Sequence, residues 1–266
     1  MQFAYQMSLS IRYFSQIPIQ LITNLEVKGD YDYITKIADE DCYIMEKRHN
    51  IIKKQLNPGF AKLSLDKYII FDEAIYLDVD GILLKPIEPL FEECTGQYHS
   101  QVKGWGGKEE EGYNAMVWAW PKDIWDNFAI KETGRIPFLN SSFQFIRKGD
   151  ITKRLFEQAR INMRNPIKLR SKWGSTQPDE LYMNIALAQQ GLDPSTKTLP
   201  VYFSDKRCDS EQYLMENHYI LGLYGGKQHT HRSVCDYYDR KLKSLGIKSI
   251  SANQLIKEKW MVRRGK

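Results

Sequence analysis

The sequence predicts an α/β fold, and three observations lead to that prediction. Segments with helical spacing of apolar residues alternate with short apolar segments that are typical of strands. No internal repeat and no linker rich in Gly, Ser or Pro divides the chain. The 266 residues are 42% hydrophobic and 12% aromatic, which provides enough surface for a buried core and argues against disorder.

In the amino-terminal half, the pattern predicts a helix, a strand, a second helix and then a strand that carries acidic residues. Apolar residues recur at helical spacing over 3–14, and residues 17–23 are typical of a buried strand. The charged segment 34–56 predicts a helix that ends at a turn formed by 57–59. Residues 74–77 predict an apolar strand that runs directly into the acidic residues, and a second short apolar segment follows.

In the carboxyl-terminal half, two helices follow strands that are rich in aromatic residues. The segments 113–120 and 138–150 predict strands, the second with a polar start. Asp150 predicts the cap of a helix over 151–163. A helix over 178–191 begins with proline and ends at glycine. Two strand-like segments, LPVYF and YILGLY, and a charged helical stretch complete the chain.

Charge, hydropathy and cysteine content exclude several classes of protein. The net charge of +5 (38 basic and 33 acidic residues) is spread along the chain, so no dedicated nucleic-acid-binding face is indicated. No apolar run approaches the ~20 residues that span a bilayer, and the amino terminus lacks the pattern of a secretory signal. The four cysteines form no CxxC pair and are expected to be free thiols in a reducing, cytoplasmic environment.

The most specific motif is Asp78-Val79-Asp80, which follows the apolar strand. Where a strand ends and the chain turns, both carboxylates can converge on one cation. Their hard oxygen atoms suit Mg²⁺ or Mn²⁺, and such an ion can hold a diphosphate. The alternative is a pair of solvated acids in a loop.

The same residues with Gly81 also resemble the first motif of the haloacid-dehalogenase-type phosphatases. In that hypothesis Asp78 would be the phosphoryl-accepting nucleophile and Asp80 a general acid. Three features argue against it. More than 70 residues precede the motif, Ile82 stands where a hydroxyl residue is expected, and no later Gly-Asp acidic pair completes a magnesium site.

A family resemblance extends the motif to residues 62–91, KLSLDKYIIFDEAIYLDVDGILLKPIEPLF. This segment resembles the centre of the GT-A nucleotide-sugar glycosyltransferases, and most of all the group that contains glycogenin and the bacterial lipopolysaccharide galactosyltransferases. FLNSSFQFI resembles the asparagine-serine strand of that family, PDELYMNIAL its acidic helix start and LYGGKQH its glycine-lysine loop. The resemblance covers about residues 3–235. It implies a GT-A fold with a Rossmann-like, mostly parallel central sheet.

The resemblance implies a role for each matching residue. Asp78 and Asp80 would bind Mn²⁺ or Mg²⁺, which would bridge the two phosphates of a nucleotide-sugar donor, expected to be a UDP-sugar. Asp179 and Glu180 would lie near the anomeric carbon as candidate catalytic residues. Retention of anomeric configuration is expected. If the enzyme inverts instead, Asp179 or Glu180 is the candidate base. The remaining residues would contact the donor sugar or offset the diphosphate charge: Lys62, Asn140, Ser141, Gly225, Gly226 and Lys227.

Each of these assignments has a structural alternative. Residues 140–141 are also compatible with a turn before a strand. The acids at 179–180 are favoured by the helix dipole alone. Residues 225–226 are compatible with a tight turn, and Lys62 with a solvated surface lysine.

The sequence departs from the family pattern at two points. The family places a histidine metal ligand before the glycine of its last motif, where this chain has Leu223 or a neighbour. His229 is therefore the favoured third ligand and His231 the second choice, with a surface histidine as the alternative. The chain also starts inside what would be the first helix, so the strand that usually precedes it is missing. Such a gap would expose backbone donors and apolar surface, and it indicates a late start or a truncated variant.

The organisation and partners of the protein follow from these expectations. Residues 1–240 are expected to form one catalytic domain, and 241–266 a basic helical extension. The acceptor would be a glycan, a lipid-linked glycan or a protein, with Trp105 as a candidate contact. The basic end, 257–266, is a candidate for peripheral contact with the cytoplasmic face of a membrane, with a solvated tail as the alternative. A non-catalytic sugar- or glycan-binding relic of the fold is the alternative to an enzyme.

Overall fold

The computed structural model describes residues 2–27, 29–48, 51–107, 119–130, 135–164, 169, 178–195, 202–203, 218–222 and 231–249. The described α-helices are α1 (Gln2–Phe14), α2 (Pro58–Lys62), α3 (Leu65–Tyr68), α4 (Glu88–Glu93), α5 (Pro121–Asn127), α6 (Asp150–Arg164), α7 (Asp179–Gln190) and α8 (His231–Ser244). The described strands are β1 (Gln20–Thr23), β2 (Tyr33–Lys36), β3 (Tyr43–Arg48), β4 (Ile51–Leu56), β5 (Glu73–Leu77), β6 (Gly81–Leu83), β7 (Tyr98–Gly106), β8 (Ile136–Arg147), β9 (Tyr202–Phe203) and β10 (Ile220–Gly222).

Strand β8 is the centre of the sheet that carries the acidic motif. It pairs antiparallel with β5 along one edge and with β7 along the other. Its residues are buried along nearly the whole strand. Phe138 and Ile146 share a core cluster with α6 and α7, whereas Phe143 and Phe145 share another with α1 and α4. Helices on both faces of a sheet are the arrangement of an α/β fold, as expected from the sequence.

The direction of the strands differs in detail from the mostly parallel sheet that the resemblance implies. Among the described strands, β1 pairs with β2 and β9 with β10 in parallel. The pairs β3–β4, β5–β8, β6–β10 and β7–β8 are antiparallel. An apolar run shows where a strand lies, but its direction depends on the connections between strands, which the run does not encode.

The helix predicted over 34–56 is wrong. This segment contains most of β2, a short 3-10 helix at Asp39–Asp41, and the antiparallel hairpin of β3 and β4. Aromatic and β-branched residues open both strands of the hairpin, at 43–44 and 51–52, and such residues favour extended backbone over helix. The abundance of charged residues in the segment hid this preference.

The turn predicted at 57–59 is the start of a helix instead. The Asn57 side chain accepts a hydrogen bond from Phe60 N (3.0 Å), and Pro58 occupies the first position of α2. This is a capped helix start of the kind that asparagine and proline favour.

The other main helices and strands predicted from local pattern are confirmed. They correspond to α1, β1, β5, β6, β8, α6 and α7. Gly191 ends α7 in the left-handed conformation, with φ of 65°. The strand predicted at 113–120 lies outside the described residues except for its last two positions.

The described cysteines Cys42, Cys94 and Cys235 are buried thiols outside any disulfide, as expected, and Cys208 lies outside the described residues. Burial raises the pKa of the Cys94 and Cys235 thiols to about 11, so both stay protonated at neutral pH. Among the described helices, none has the length and apolar character to cross a membrane.

Candidate active site

The candidate site begins where β5 ends, because Asp78 directly follows the last residue of this strand. Asp78 N donates to Ser142 O of β8 (3.0 Å), which fixes the backbone at this point. The Tyr76 hydroxyl donates to Asp78 Oδ1 (2.6 Å), and Lys62 Nζ donates to Asp78 Oδ2 (2.8 Å). Both carboxylate oxygens of Asp78 are therefore held by neighbouring side chains.

Lys62 connects the end of β5 with the start of α7. Its Nζ lies 3.8 Å from Asp179 Oδ2 and 3.5 Å from Ser141 Oγ. The side chains of Lys62, Asp78 and Asp179 are only 21%, 17% and 13% exposed, so water screens these ion pairs weakly. Lys62 is thus part of the site rather than a solvated surface lysine.

A close contact between α2 and α7 brings Lys62 to Asp179. A Cβ atom at Gly59 would lie 3.2 Å from both Cβ and N of Asp179, which is tighter than ordinary van der Waals contact. The absence of a side chain at Gly59 lets the two helices meet, and Lys62 follows almost one turn later on the same helix. Sequence reasoning missed Gly59, because local pattern does not show a contact between distant segments.

The polar residues at 140–142 lie in an irregular part of β8 and not in a turn before it. The register of β8 against β7 shifts between Ser100 and Gln101. Such an irregularity frees main-chain groups from the ladder. Ser141 N donates to Glu180 Oε1 (3.0 Å), and Asn140 Oδ1 accepts from the main-chain N two residues later (3.1 Å). The irregular segment therefore ties the acidic start of α7 to the central strand.

Burial and the crowding of negative charge shift the pKa values of the site. Burial, together with Glu180 and Asp78, raises the pKa of Asp179 to about 6, although Lys62 opposes the shift. Burial and the charge of Asp78 also raise the pKa of Asp80. Burial alone would lower the pKa of Lys62, but its neighbours on β5 and α7 raise it well above its usual value. The site therefore favours binding of additional positive charge.

Asp80 has a carboxylate oxygen that the protein leaves unsatisfied. Its Oδ1 is buried and has no hydrogen-bond partner, whereas its main-chain O accepts from the Tyr238 hydroxyl of α8. A buried carboxylate oxygen without a donor is unfavourable unless a cation binds it. Within the described part of the chain, no three His, Cys, Asp or Glu side chains form a cluster that could hold a metal unaided. Among the described residues, Asp78 and Asp80 could hold a divalent cation only with ligands from elsewhere.

A cleft of 1090 Å³ reaches this group of side chains. Residues of α1, β1 and β5 are among those that line it, and so are Lys62, Asp78 and Asp80. Ligand sites in proteins typically have volumes of roughly 300–1,000 Å³, so the cleft provides room for a molecule of nucleotide-sugar size.

The structure therefore brings together seven of the predicted site residues: Lys62, Asp78, Asp80, Asn140, Ser141, Asp179 and Glu180. The other four lie outside the described residues, and their roles stay predictions: Gly225, Gly226, Lys227 and His229. Trp105 lies in β7, and the guanidinium group of Arg135 covers its ring at 4.9 Å from the centroid.

Two tyrosines that contact the acidic motif were missed by sequence reasoning. Tyr76 lies two residues before Asp78, and the two-residue period of a strand places both side chains on one face. That spacing could have identified Tyr76 as a donor to Asp78. Tyr238 carries no comparable signal, because it reaches Asp80 from a helix near the other end of the chain.

Comparisons with known proteins show what the chain resembles. No protein-family model matches the sequence, and no curated protein is significantly similar to it. A structure of an active-site mutant of LgtC is similar with a TM-score of 0.51 and 13% identity, over 95% of this chain and 94% of that chain. A structure of the galactosyltransferase LgtC with donor and acceptor sugar analogues gives a TM-score of 0.49 and 13% identity, over 94% and 95% of the respective chains.

The first of these likenesses shows the class of fold. The chain has an α/β fold of the GT-A type, as the sequence resemblance implied. LgtC is one protein with this fold, and the likeness extends over nearly the whole of both chains. At 13% identity the likeness concerns the fold alone.

Proposed function

We propose that the protein is a glycosyltransferase that moves a sugar from a nucleotide diphosphate donor, a UDP-sugar, to the hydroxyl group of an acceptor. The observation that carries the proposal is the group of Lys62, Asp78, Asp80 and Asp179 at the carboxyl end of β5. The fold likeness to LgtC, which is described as a galactosyltransferase, supports the same class of reaction.

A divalent cation, Mn²⁺ or Mg²⁺, is part of the proposal. Asp78 and Asp80 would hold it, with His229 as the proposed third ligand. The unpartnered Oδ1 of Asp80 supports this assignment. When bound, the ion would neutralise the negative charge that develops on the departing diphosphate. Lys62 and Tyr76 would keep the Asp78 carboxylate in one orientation.

Asp179 and Glu180 are proposed to face the sugar of the donor. With a pKa of about 6, Asp179 is largely ionised at pH 7.5 and would stabilise positive charge that develops at the anomeric carbon. Glu180 is held by Ser141 N, and Asp179 by Lys62. Because both acids already have partners, neither is a free general base, which favours retention of anomeric configuration over inversion.

The acceptor is proposed to be a glycan, a lipid-linked glycan or a protein. Trp105 is the proposed acceptor contact, and its cation–π contact with Arg135 would orient the ring. We also propose that the basic segment 257–266 contacts an anionic membrane surface. This segment lies outside the described residues.

The experiment that tests the proposal measures UDP release from a panel of UDP-sugars in the presence of Mn²⁺. We expect release from one donor, lost when Mn²⁺ is chelated and reduced at least about 100-fold in Asp80→Asn. The matched control is Asp72→Asn, which changes an exposed acid just before the same strand and should leave release unchanged. Equal activity of all three proteins would reject the assigned site.

The same assay separates the alternatives. A phosphatase with Asp78 as nucleophile would release phosphate from simple phosphoesters and lose that activity in Asp78→Asn. Both oxygens of Asp78 are hydrogen-bonded to Lys62 and Tyr76, which lowers their nucleophilicity and argues against this mechanism. A sugar-binding relic would bind a glycan without turning over any donor.

A further inference from the structure

Helix α6 carries a buried arginine that reaches the end of α2. Arg160 is only 9% exposed, and burial of a guanidinium group is unfavourable unless the group is paired and hydrogen-bonded. Its Nη1 donates to Leu63 O (2.7 Å) and to Asp66 Oδ1, and its Nη2 donates to Asp66 Oδ2 (3.2 Å). One side chain of α6 therefore binds both the end of α2 and the first turn of α3.

The carbonyl group that Arg160 binds belongs to the residue directly after Lys62. Leu63 ends α2, and the last carbonyl groups of a helix have no partners within the helix. Phe60 O, one turn earlier, accepts from Ser64 Oγ of the same segment (3.2 Å). The donor to Leu63 O, in contrast, comes from α6, which lies 97 residues further along the chain. A distant helix therefore fixes the main chain beside Lys62.

A second arginine of α6 contacts α2 from the same side of the helix. Arg164 follows Arg160 at the i, i+4 spacing that places two side chains on one helix face. Its guanidinium carbon lies 4.7 Å from the centroid of the Phe60 ring, which is fully buried. Helix α6 therefore contacts α2 at two points, on either side of the turn that ends with Lys62.

The same helix packs against α7, which carries a second partner of Lys62. Phe156 of α6 belongs to the core cluster that contains Leu181 and Ile185 of α7. At the start of α7, Asp179 Oδ2 lies 3.8 Å from Lys62 Nζ. Helix α6 is thus a common support for the two helices whose side chains form this ion pair.

We propose that Arg160 is a positioning residue of the candidate site, which holds Lys62 against Asp78 and Asp179 through its hydrogen bond to Leu63 O. Arginine suits this role because its planar group can bind a carboxylate with two donors and a carbonyl group at the same time. The effect of Arg160 on sugar transfer rests on the proposed function, whereas its effect on the position of Lys62 does not. The competing explanation is a tether that supports the fold as a whole.

The first test measures how accessible the Lys62 amine is. Acetylation with an N-hydroxysuccinimide ester, followed by mass spectrometry, gives a rate for each lysine. The Lys62 side chain is 21% exposed and bound to carboxylates, so Arg160→Met should speed its acetylation at least about fivefold by releasing the end of α2. Lys241 of α8 is 4% exposed and reports loosening of the whole protein, so its rate should stay unchanged. The matched control Arg154→Met, at an exposed position of α6, should change neither rate.

A second variant separates the position of Lys62 from the stability of the fold. Arg160→Met leaves the Asp66 carboxylate buried without its partner, which destabilises the protein. The double variant Arg160→Met with Asp66→Leu removes both charges, and such replacements are often neutral for stability. It still lacks the donor to Leu63 O, so Lys62 should again be acetylated at least about fivefold faster. A wild-type rate at Lys62 in the double variant, or equal acceleration at Lys62 and Lys241, would overturn the proposal.

The second test asks whether Arg160 acts through Lys62 in the release of UDP. The double variant should lower UDP release when Lys62 is present. In a Lys62→Met background, the same two substitutions should change release less than about twofold, because the group that Arg160 positions is already absent. Independent, multiplying effects would contradict the proposal. The acetylation rates do not involve sugar transfer, so they decide the role of Arg160 even if the proposed function fails.

Discussion

The ion pairs of Lys62 allow one prediction to be worked out as a free energy of unfolding. Lys62→Met removes the ammonium group that lies 2.8 Å from Asp78 and 3.8 Å from Asp179, and it keeps most of the apolar stem. Removing one partner of a buried ion pair costs about 3–5 kcal/mol, because the other charge stays buried and unpaired. The three side chains keep 13–21% exposure. The lower end of that range, about 3 kcal/mol, is therefore expected.

This cost is measurable as a change in Tm. For a chain of this size, 1 kcal/mol corresponds to about 2–4 °C, so Lys62→Met should lower the Tm by roughly 6–12 °C at pH 8. The control is Lys122→Met, which breaks an ion pair with Asp126 whose side chains are 63% and 52% exposed. This control should change the stability by less than about 0.5 kcal/mol. Thermal unfolding followed by circular dichroism measures both.

The pH dependence separates the loss of charge from the loss of packing. Without Lys62, Asp78 and Asp179 repel each other, and uptake of a proton relieves the repulsion as the pH falls. The pKa of Lys62 is raised, so the wild-type ammonium group stays charged throughout the range from pH 8 to 5. The difference in Tm between the two proteins should therefore shrink toward pH 5. Equal Tm values at pH 8, or a difference independent of pH, would refute the reasoning.

Three further predictions follow from the same site. The pKa of Asp179 is raised from 3.8 to about 6, so its contribution to stability is present below about pH 4 and lost as the pH rises through 6. The loss amounts to up to about 3 kcal/mol. Asp179→Asn should abolish it and give a flatter curve of Tm against pH. An unchanged curve would contradict the raised pKa of Asp179. Tyr76→Phe removes the donor to Asp78 Oδ1 and should weaken Mn²⁺ binding several-fold, as measured by calorimetry. An unchanged affinity would show that Tyr76 does not orient the carboxylate. Gly59→Val should lower the free energy of unfolding in urea by about 1–3 kcal/mol, because α2 cannot then approach α7. The control Gly107→Val, with open space around its Cβ, should be nearly neutral. Equal losses in the two variants would count against the close contact.

Much of the fold could be predicted from local pattern, because α1, β5, α6 and α7 each carry their own signals. Helical spacing marked α1 and α6, and Gly191 marked the end of α7. The segment 34–56 could not be predicted in this way, since its charged residues are compatible with both a helix and a two-stranded hairpin. Pairing between β3 and β4 decides between them, and pairing depends on contacts along the folded chain.

The residues of the candidate site that lie close together in the sequence could be predicted. Those that only folding brings together could not. Asp78 and Asp80 could be predicted from a strand that runs into two carboxylates. Gly59 and Tyr238 could not, because each acts through a contact between distant segments. The partner of Lys62 was likewise hidden, since nothing in the sequence places α2 against the start of α7.

The most direct test of the central claim is a crystal structure of the protein grown with UDP and Mn²⁺, with anomalous data collected at the manganese edge. The claim is that Asp78 and Asp80 hold the diphosphate of a nucleotide sugar through a divalent cation. It predicts a manganese peak at the carboxylates of Asp78 and Asp80, with the UDP diphosphate bound to it. UDP bound elsewhere, or UDP at this site with no manganese on these two carboxylates, would contradict it.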